Sequence, residues 1–226
     1  MFSYYGSKAK IAKYYPEPVY DTIIEPFAGA AWYSVRHRSK NVILNEKYDV
    51  LYKIWKWLIE EADPDFIRNH SDFYLNQDIR TCSLPDTYRK LVGFCINSGS
   101  SSPKNVVQKR ACQSAACPSK ASTVSSQLNR IASYLPDIRH WSVRLGDYTE
   151  LPDIECTWFI DPPYQYGGKY YKHSIIDYKS LAEWCKSRKG QIIVCENTKA
   201  DWMDFKPFKN LVGQRHKTVE AVWTNI

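Results

Sequence analysis

The sequence predicts an α/β protein whose parallel sheet is interrupted by an inserted, mainly helical and loop segment. Three observations carry that assignment. Short apolar runs alternate with helical periodicity over the first sixty residues, the alternation stops over 62–136 and resumes afterwards, and the interrupting stretch has a composition of its own. The expected division is therefore a sheet-bearing domain made of 1–61 and 137–226, with 62–136 as the insertion. A chain of 226 residues is long enough to bury a full core under that arrangement.

The elements follow in order. Ser3-Tyr4-Tyr5-Gly6-Ser7-Lys8 reads as a turn and 9–15 as a short helical stretch. Thr22-Ile23-Ile24 closes a short strand, after which Glu25-Pro26-Phe27-Ala28-Gly29-Ala30-Ala31 turns into a helix over 32–38. Asn41 to Asn45 forms a second apolar strand ended by Glu46. Val50, Leu51, Ile54, Trp57 and Leu58 recur at helical spacing and predict a helix over 47–61. Inside the insertion, 66–79, 87–96 and 127–135 are expected helices, and 97–103 is a loop of Ser, Gly, Asn and Pro. The rhythm then returns. Trp141 to Leu145 is a strand closed by Gly146-Asp147, and Thr157-Trp158-Phe159-Ile160 is a buried strand stopped by two prolines. A helix over 178–188 buries Leu181, Trp184 and Cys185. A strand over 191–195 follows, and the alternating 217–223 tail is a last, antiparallel strand.

Composition narrows the function classes. No apolar run reaches membrane-spanning length, and the first thirteen residues lack an apolar signal segment, which points away from membranes and secretion. Seven scattered cysteines form no Cys-x-x-Cys pair, as expected of reduced thiols in the cytoplasm. Cys112, Cys117 and His140 lack the spacing of a zinc site, so no metal is expected. The net charge of +7 is concentrated. Residues 87–136 hold no Asp or Glu but seven basic side chains, and the remaining 24 basic residues match the 24 acidic ones. Such a block is the footprint of a surface for a polyanion, although a solvated insertion with incidental charge has the same composition. The nucleic-acid contacts expected from it are Arg89, Lys90, Asn97, Lys104, Asn105, Lys109, Arg110, Lys120 and Arg130.

The chemistry is concentrated in Asp161-Pro162-Pro163-Tyr164. Asp161 precedes a proline and is held extended, while Pro162 and Pro163 have no N–H to donate. A carboxylate, a rigid carbonyl and an aromatic ring thus leave the end of one strand together. Two acceptors suit the two hydrogens of an exocyclic amine on a planar base, and Tyr164 suits its face. Drawing both N–H bonds towards acceptors localises the nitrogen lone pair and makes the amine nucleophilic. The same tetrapeptide also suits a plain Pro-Pro turn with an Asp cap. Other strand ends contribute the small-residue turn Phe27-Ala28-Gly29-Ala30-Ala31, the acid Glu46 and the acid Asp147, all where an open α/β sheet receives its ligand.

Taken in order, these segments resemble the Dam-like N6-adenine DNA methyltransferases. Tyr4-Tyr5-Gly6-Ser7-Lys8 is similar to that family's amino-terminal Tyr-x-Gly-[Gly/Ser]-Lys motif, and Glu25-Pro26-Phe27-Ala28-Gly29-Ala30 to its Glu-Pro-Phe-x-Gly-x-Gly loop, with Ala31 in place of the last glycine. Leu44-Asn45-Glu46 matches the strand-end acid, Gly146-Asp147-Tyr148 the Gly-Asp-Phe element, Asp161 to Tyr164 the catalytic motif, and Glu220 to Asn225 the closing strand. The resemblance spans residues 3 to 225.

The resemblance implies a Rossmann-like S-adenosylmethionine-dependent methyltransferase sheet with 62–136 as target-recognition domain. It implies cofactor contacts from Tyr5, Gly6, Lys8, Glu25, Phe27, Ala28, Gly29, Glu46, Asp147 and Asp161. Among them Lys8 would take the methionine carboxylate, Glu46 the ribose and Asp147 the adenine. Asp161, Pro162, Pro163 and Tyr164 would be catalytic, acting on an adenine flipped from double-stranded DNA and releasing S-adenosylhomocysteine. The implied setting is the cytoplasm of a bacterium or of a phage's host. An RNA adenine methyltransferase and an inactive nucleic-acid-binding module of the same fold remain alternatives.

Overall fold

The computed structural model describes residues 1–96, 99–212 and 217–226. In chain order these form β1 (Thr22–Glu25), α1 (Trp32–Arg36), β2 (Asn41–Glu46), α2 (Asp49–Glu60), α3 (Pro64–Asn69), α4 (Asp86–Cys95) and α5 (Ser122–Ile138). Then follow β3 (Ser142–Leu145), β4 (Cys156–Ile160), α6 (Tyr178–Ser187), β5 (Gly190–Asn197), β6 (Lys206–Val212) and β7 (Lys217–Thr224). No described helix is long and apolar enough to cross a membrane.

The chain divides into two compact units. A sheet unit comprises Lys8–Tyr48 and Val143–Ile226, and a helical unit comprises Met1–Ser7 and Asp49–Ser142. These bounds differ from the expected 1–61, 62–136 and 137–226 at both junctions, and Met1–Ser7, expected with the sheet, also falls in the helical unit. The difference turns on α2, which the strand–helix rhythm assigns to the sheet. Its buried face of Leu51, Ile54, Trp55, Leu58 and Ile59 instead serves the helical unit. Phe2 packs 5.8 Å from Trp55 and 5.7 Å from Phe94, Trp57 lies 5.8 Å from Tyr88, and Trp55 lies 6.0 Å from Trp141.

The sheet has seven strands in the order β3-β2-β1-β4-β5-β7-β6. β1 runs parallel to β2 and β4, and β4 parallel to β5, while β7 is antiparallel to both β5 and β6. The tail is thus the antiparallel strand its alternation predicts. β6 has no counterpart among the expected elements: Pro207 and two lysines break its apolar pattern, and a proline is tolerated there because β6 is an edge strand. From β1 the chain builds outward through β2 and β3, and from β4 it builds the other way, so the topological switch point lies between β1 and β4. Below that edge, Ile24, Trp158, Ile160, Leu181, Cys185, Ile192 and Val194 form the core beneath α6.

The helical unit departs from expectation in its middle. The helix expected over 66–79 stops at Asn69, and Asn76 adopts a left-handed φ of 65°, which no continuing helix admits. α5 is longer than expected, Ser122–Ile138, and runs through Pro136. Gly93 in α4 has a packing reason: a Cβ there would meet the Lys104 carbonyl oxygen at 2.6 Å, and the Lys104 N–H donates to the Gly93 carbonyl at 2.9 Å. That contact and the buried Val107 hold the 104–110 loop in place.

Candidate active site at the switch point

The site is built from the ends of four strands of the sheet unit. β4 is buried at every residue, and its end delivers Asp161 and the two prolines. The turn beyond is fixed at several atoms. The Tyr178 hydroxyl donates to the Pro163 carbonyl at 2.7 Å, the Gln165 N–H donates to Glu196 Oε1 at 2.5 Å, and the Gly168 N–H donates to the Tyr164 carbonyl at 2.9 Å. Gly168 lies so close that an added Cβ would stand 3.0 Å from the Pro163 carbonyl carbon. Among the described residues, none donates to the Pro162 carbonyl.

One lysine sits between two carboxylates here. Lys8 Nζ is 2.8 Å from Asp161 Oδ1 and 3.5 Å from Glu220 Oε1, and it lies 4.5 Å above the centre of the Tyr164 ring. Glu220 Oε1 also accepts hydrogen bonds from the Tyr15 hydroxyl at 2.7 Å and from the Tyr164 hydroxyl. Burial opposes the Lys8 charge, but Asp161 and Glu220 outweigh it and hold the ammonium protonated above the ordinary lysine range. Burial pushes the Asp161 carboxyl up to about 6; Lys8 pulls it down, and the Glu220 charge adds to the rise. Burial, reinforced by both carboxylates, keeps the Tyr164 hydroxyl protonated.

The neighbouring strand ends form a second cluster. Asn45, 3% exposed, donates through Nδ2 to the carbonyls of Pro26 at 3.1 Å and Gly146 at 3.2 Å, which ties the loops after β1 and β3 to the end of β2. The Ala28 N–H returns to the Asn45 carbonyl at 3.1 Å. Glu46 accepts the Gly29 N–H, with Gly29 at a φ of 51°. Burial pushes Glu46 up to about 7 against the N–H groups of Gly29, Tyr48 and Lys47. Ala31 holds a left-handed backbone, φ 47° and ψ 43°, the conformation for which a glycine is usual at that place.

Asp147 caps the turn after β3 by accepting the Thr149 N–H at 3.1 Å, and it pairs with Lys47 at 2.9 Å. Partial burial works against its charge, but Lys47 and Thr149 hold its carboxyl below the usual range. Glu25 is turned into the core, where it accepts the Ser34 N–H at 2.8 Å, and burial lifts it to about 8 despite that bond. Phe27 packs 5.4 Å from Tyr148.

The structure therefore brings together Lys8, Asp161 and Tyr164 in one cluster, and Phe27, Ala28, Gly29, Glu46 and Asp147 in another at adjoining strand ends. Tyr5 and Gly6 belong to the helical unit, where the Tyr5 N–H donates to the Ser100 carbonyl at 3.2 Å. Lys8, expected on a ligand carboxylate, is engaged by two carboxylates of the protein itself. Glu220, Tyr15, Asn45 and Glu196 join the site without being among its expected residues.

A nucleoside fits the second cluster in its chemistry. Glu46 accepts from the N–H groups of Gly29, Tyr48 and Lys47, and Asp147 from Thr149 and Lys47; with about four lone-pair sites, each carboxylate still has room to accept a hydroxyl or amine hydrogen. Ala28, Gly29 and Ala30 keep the intervening turn small. Among the described residues, no group of three or more His, Cys, Asp or Glu is placed to hold a metal ion.

The basic residues of the acid-free block separate into two classes. Lys90 pairs with Asp86 at 2.7 Å, Arg89 with Asp86 at 3.5 Å and Lys120 with Asp72 at 2.7 Å, while Arg130 donates to the Met1 carbonyl at 3.4 Å. Acids just outside the acid-free block thus neutralise part of it. Lys104, Asn105, Lys109 and Arg110 are exposed on the 104–110 loop, and among the described residues no acid pairs with its three cations. Asn97 lies outside the described residues.

No family model matches the chain, and no curated protein matches it either.

Proposed function

We propose that the chain is an S-adenosylmethionine-dependent N6-adenine methyltransferase of the Dam-like kind, acting on double-stranded DNA. One observation carries this: a buried carboxylate, Asp161, is followed at once by a prolyl carbonyl that takes no donor from the described residues, at the switch point of an open α/β sheet. The sheet order with its antiparallel closing strand supports the Rossmann-like methyltransferase assignment.

S-adenosylmethionine supplies an electrophilic methyl group on a sulfonium. Glu46 accepts from its ribose hydroxyls and Asp147 from its adenine amine, with the backbone of Ala28 and Gly29 close by. Asp161 and the Pro162 carbonyl accept the two hydrogens of the target amine and hold its lone pair outward. Tyr164 offers a ring face to the base. Stacking of about 1–3 kcal/mol offsets much of the few kcal/mol that flipping costs. Lys8 keeps Asp161 ionised in spite of its burial. Holding the reacting atoms in line is then the main catalytic contribution.

The test is transfer of a labelled methyl group to duplex DNA and to RNA, with the modified base identified after digestion. N6-methyladenine from duplex DNA is expected, and it is lost in Asp161→Ala and Tyr164→Ala. An Asp161→Ala variant as active as the parent, or labelling of RNA alone, would overturn the proposal.

A further inference from the structure

We propose that Glu220 is a positioning residue of this site: its Oε1 fixes the Tyr164 ring through the phenol hydroxyl and holds Lys8 between two carboxylates, so that Asp161 keeps acceptor capacity for a target amine. This rests on the methyltransferase proposal, and it adds a residue from the last strand to the site.

Glu220 is 3% exposed, and an acid so deep in a fold needs partners. Its backbone is fixed from both sides, since β7 pairs Glu220 with Asn197 of β5 and with Lys209 of β6. Its partner Tyr15 is equally constrained, stacked on Phe208 at 4.9 Å and meeting the edge of Phe159 at 5.0 Å. The Tyr164 hydroxyl therefore bonds to an oxygen that has little freedom to move. A ring tethered at its para position cannot swing away from the place where a base would stack.

Lys8 explains the second half of the role. Its ammonium lies at Asp161 and over the face of Tyr164, the two places a flipped base and its amine would use. Glu220, 3.5 Å away, gives that ammonium somewhere to go as the amine arrives. Without the Glu220 charge, Lys8 would belong to Asp161 alone and compete with the substrate. The groups facing Asp161 are Lys8, Glu220 of β7, Tyr164, Tyr15, Cys195 and Glu196 of β5, and Glu25 of β1. Among them Glu220 is the carboxylate nearest to Lys8 after Asp161, and it can be neutralised without changing side-chain shape.

The experiment follows the Asp161 carboxyl carbon by 13C NMR through a pH titration, assigned with Asp161→Asn, in the parent and in Glu220→Gln. The same preparations are assayed for methyl transfer and for S-adenosylhomocysteine binding. In Glu220→Gln the Asp161 midpoint is expected to fall below its parent value of about 6. The turnover number should fall by about ten- to a hundredfold, the scale of a small misplacement, with cofactor affinity unchanged. A merely structural role would lower stability and activity without moving the Asp161 midpoint. An unchanged midpoint or an unchanged turnover number in folded Glu220→Gln overturns the proposal.

Tyr164→Phe keeps the ring and removes the tether, and serves if Glu220→Gln does not fold. It should lose turnover with cofactor affinity retained, and parental turnover would overturn the proposal. If the parent transfers no methyl group, the methyltransferase proposal fails, while the NMR titration still decides whether Glu220 governs Asp161.

Discussion

Lys8 and Asp161 form an ion pair of 2.8 Å in which the two side chains are 9% and 17% exposed. A pair this dry is weak evidence of stabilisation, because removing two charges from water costs several kcal/mol. Its effect is electrostatic: the cation pulls down an Asp161 carboxyl that burial raises.

Replacing Lys8 by Met should therefore act first on stability. Asp161 and Glu220 would face each other without a cation, a change expected to cost about 3–5 kcal/mol near pH 7.5. The sign with pH follows from Asp161, whose folded carboxyl titrates near 6, above its ordinary value of 3.8. Losing the ammonium raises it further, so the folded protein binds more protons than the unfolded chain over that range. The deficit should then shrink as pH falls towards about 5.5. Urea unfolding at the two pH values measures it. An equal deficit at both would mean that Lys8 does not compensate Asp161.

Much of this site is legible in the sequence, for a physical reason. Strand ends are marked where an apolar run meets a proline, glycine or acid, so their immediate neighbours alone assign Glu46, Asp147 and Asp161 to one edge of the sheet. Partners are a different matter. The sequence of β7 alternates, and a period of two assigns Glu220 to a polar, solvent-facing row; yet β7 lies between β5 and β6, and Glu220, Ala221 and Val222 are all buried. The allegiance of α2 is equally hidden, since an amphipathic helix shows which face is apolar but not which neighbour covers it. Asn45 reads as part of a strand, and only its two carbonyl partners reveal it as a tie between loops.

The proposed contact of Glu46 with a ribose would give ligand binding a pH dependence. Burial lifts its carboxyl to about 7, and the ionised form is the better acceptor for a ribose hydroxyl. Affinity for S-adenosylhomocysteine should accordingly rise between about pH 6 and about pH 8. Glu46→Gln should lose about 1.5–3 kcal/mol of binding at the upper end and flatten the profile. Calorimetry at several pH values tests this, and a parent profile already flat would remove Glu46 from the ligand's contacts.

Gly168 offers a way to disturb the Pro162-Pro163 turn without touching the groups proposed to act on the base. Its missing Cβ would lie 3.0 Å from the Pro163 carbonyl carbon and 3.2 Å from Pro163 Cβ, so Gly168→Ala must push the turn by a few tenths of an ångström. Overpacking of this kind costs roughly 1–3 kcal/mol. The effect on turnover should be larger, about tenfold or more, because the Pro162 carbonyl moves with the turn. Steady-state kinetics beside a melting curve separates the two. A variant with parental turnover would show that the turn tolerates the shift.

The last prediction concerns the 104–110 loop of the helical unit. Of the seven basic residues in the acid-free block, Arg89, Lys90 and Lys120 have acidic partners and Arg130 donates to the Met1 carbonyl, which leaves Lys104, Lys109 and Arg110 as an exposed cationic group held by Val107 and by the contact with Gly93. If this loop meets DNA, its cations contact phosphates, which set affinity and orientation but carry no sequence. Replacing all three by Gln should weaken binding to every duplex sequence alike. The slope of log affinity against log salt should flatten by up to about 0.9 for each phosphate that no longer meets a cation. Replacing Arg89, Lys90 and Lys120 instead should change the slope less, because those charges are already partly neutralised by Asp86 and Asp72. Stability should hardly change in the first variant, since exposed cations without an acidic neighbour contribute little to folding. S-adenosylhomocysteine affinity should not move, because none of its expected contacts lies on the 104–110 loop. Binding isotherms of both triple variants at several salt concentrations decide the matter. Equal slopes for the parent and the Lys104, Lys109, Arg110 variant would show that the loop is a solvated insertion and that the nucleic acid is received elsewhere.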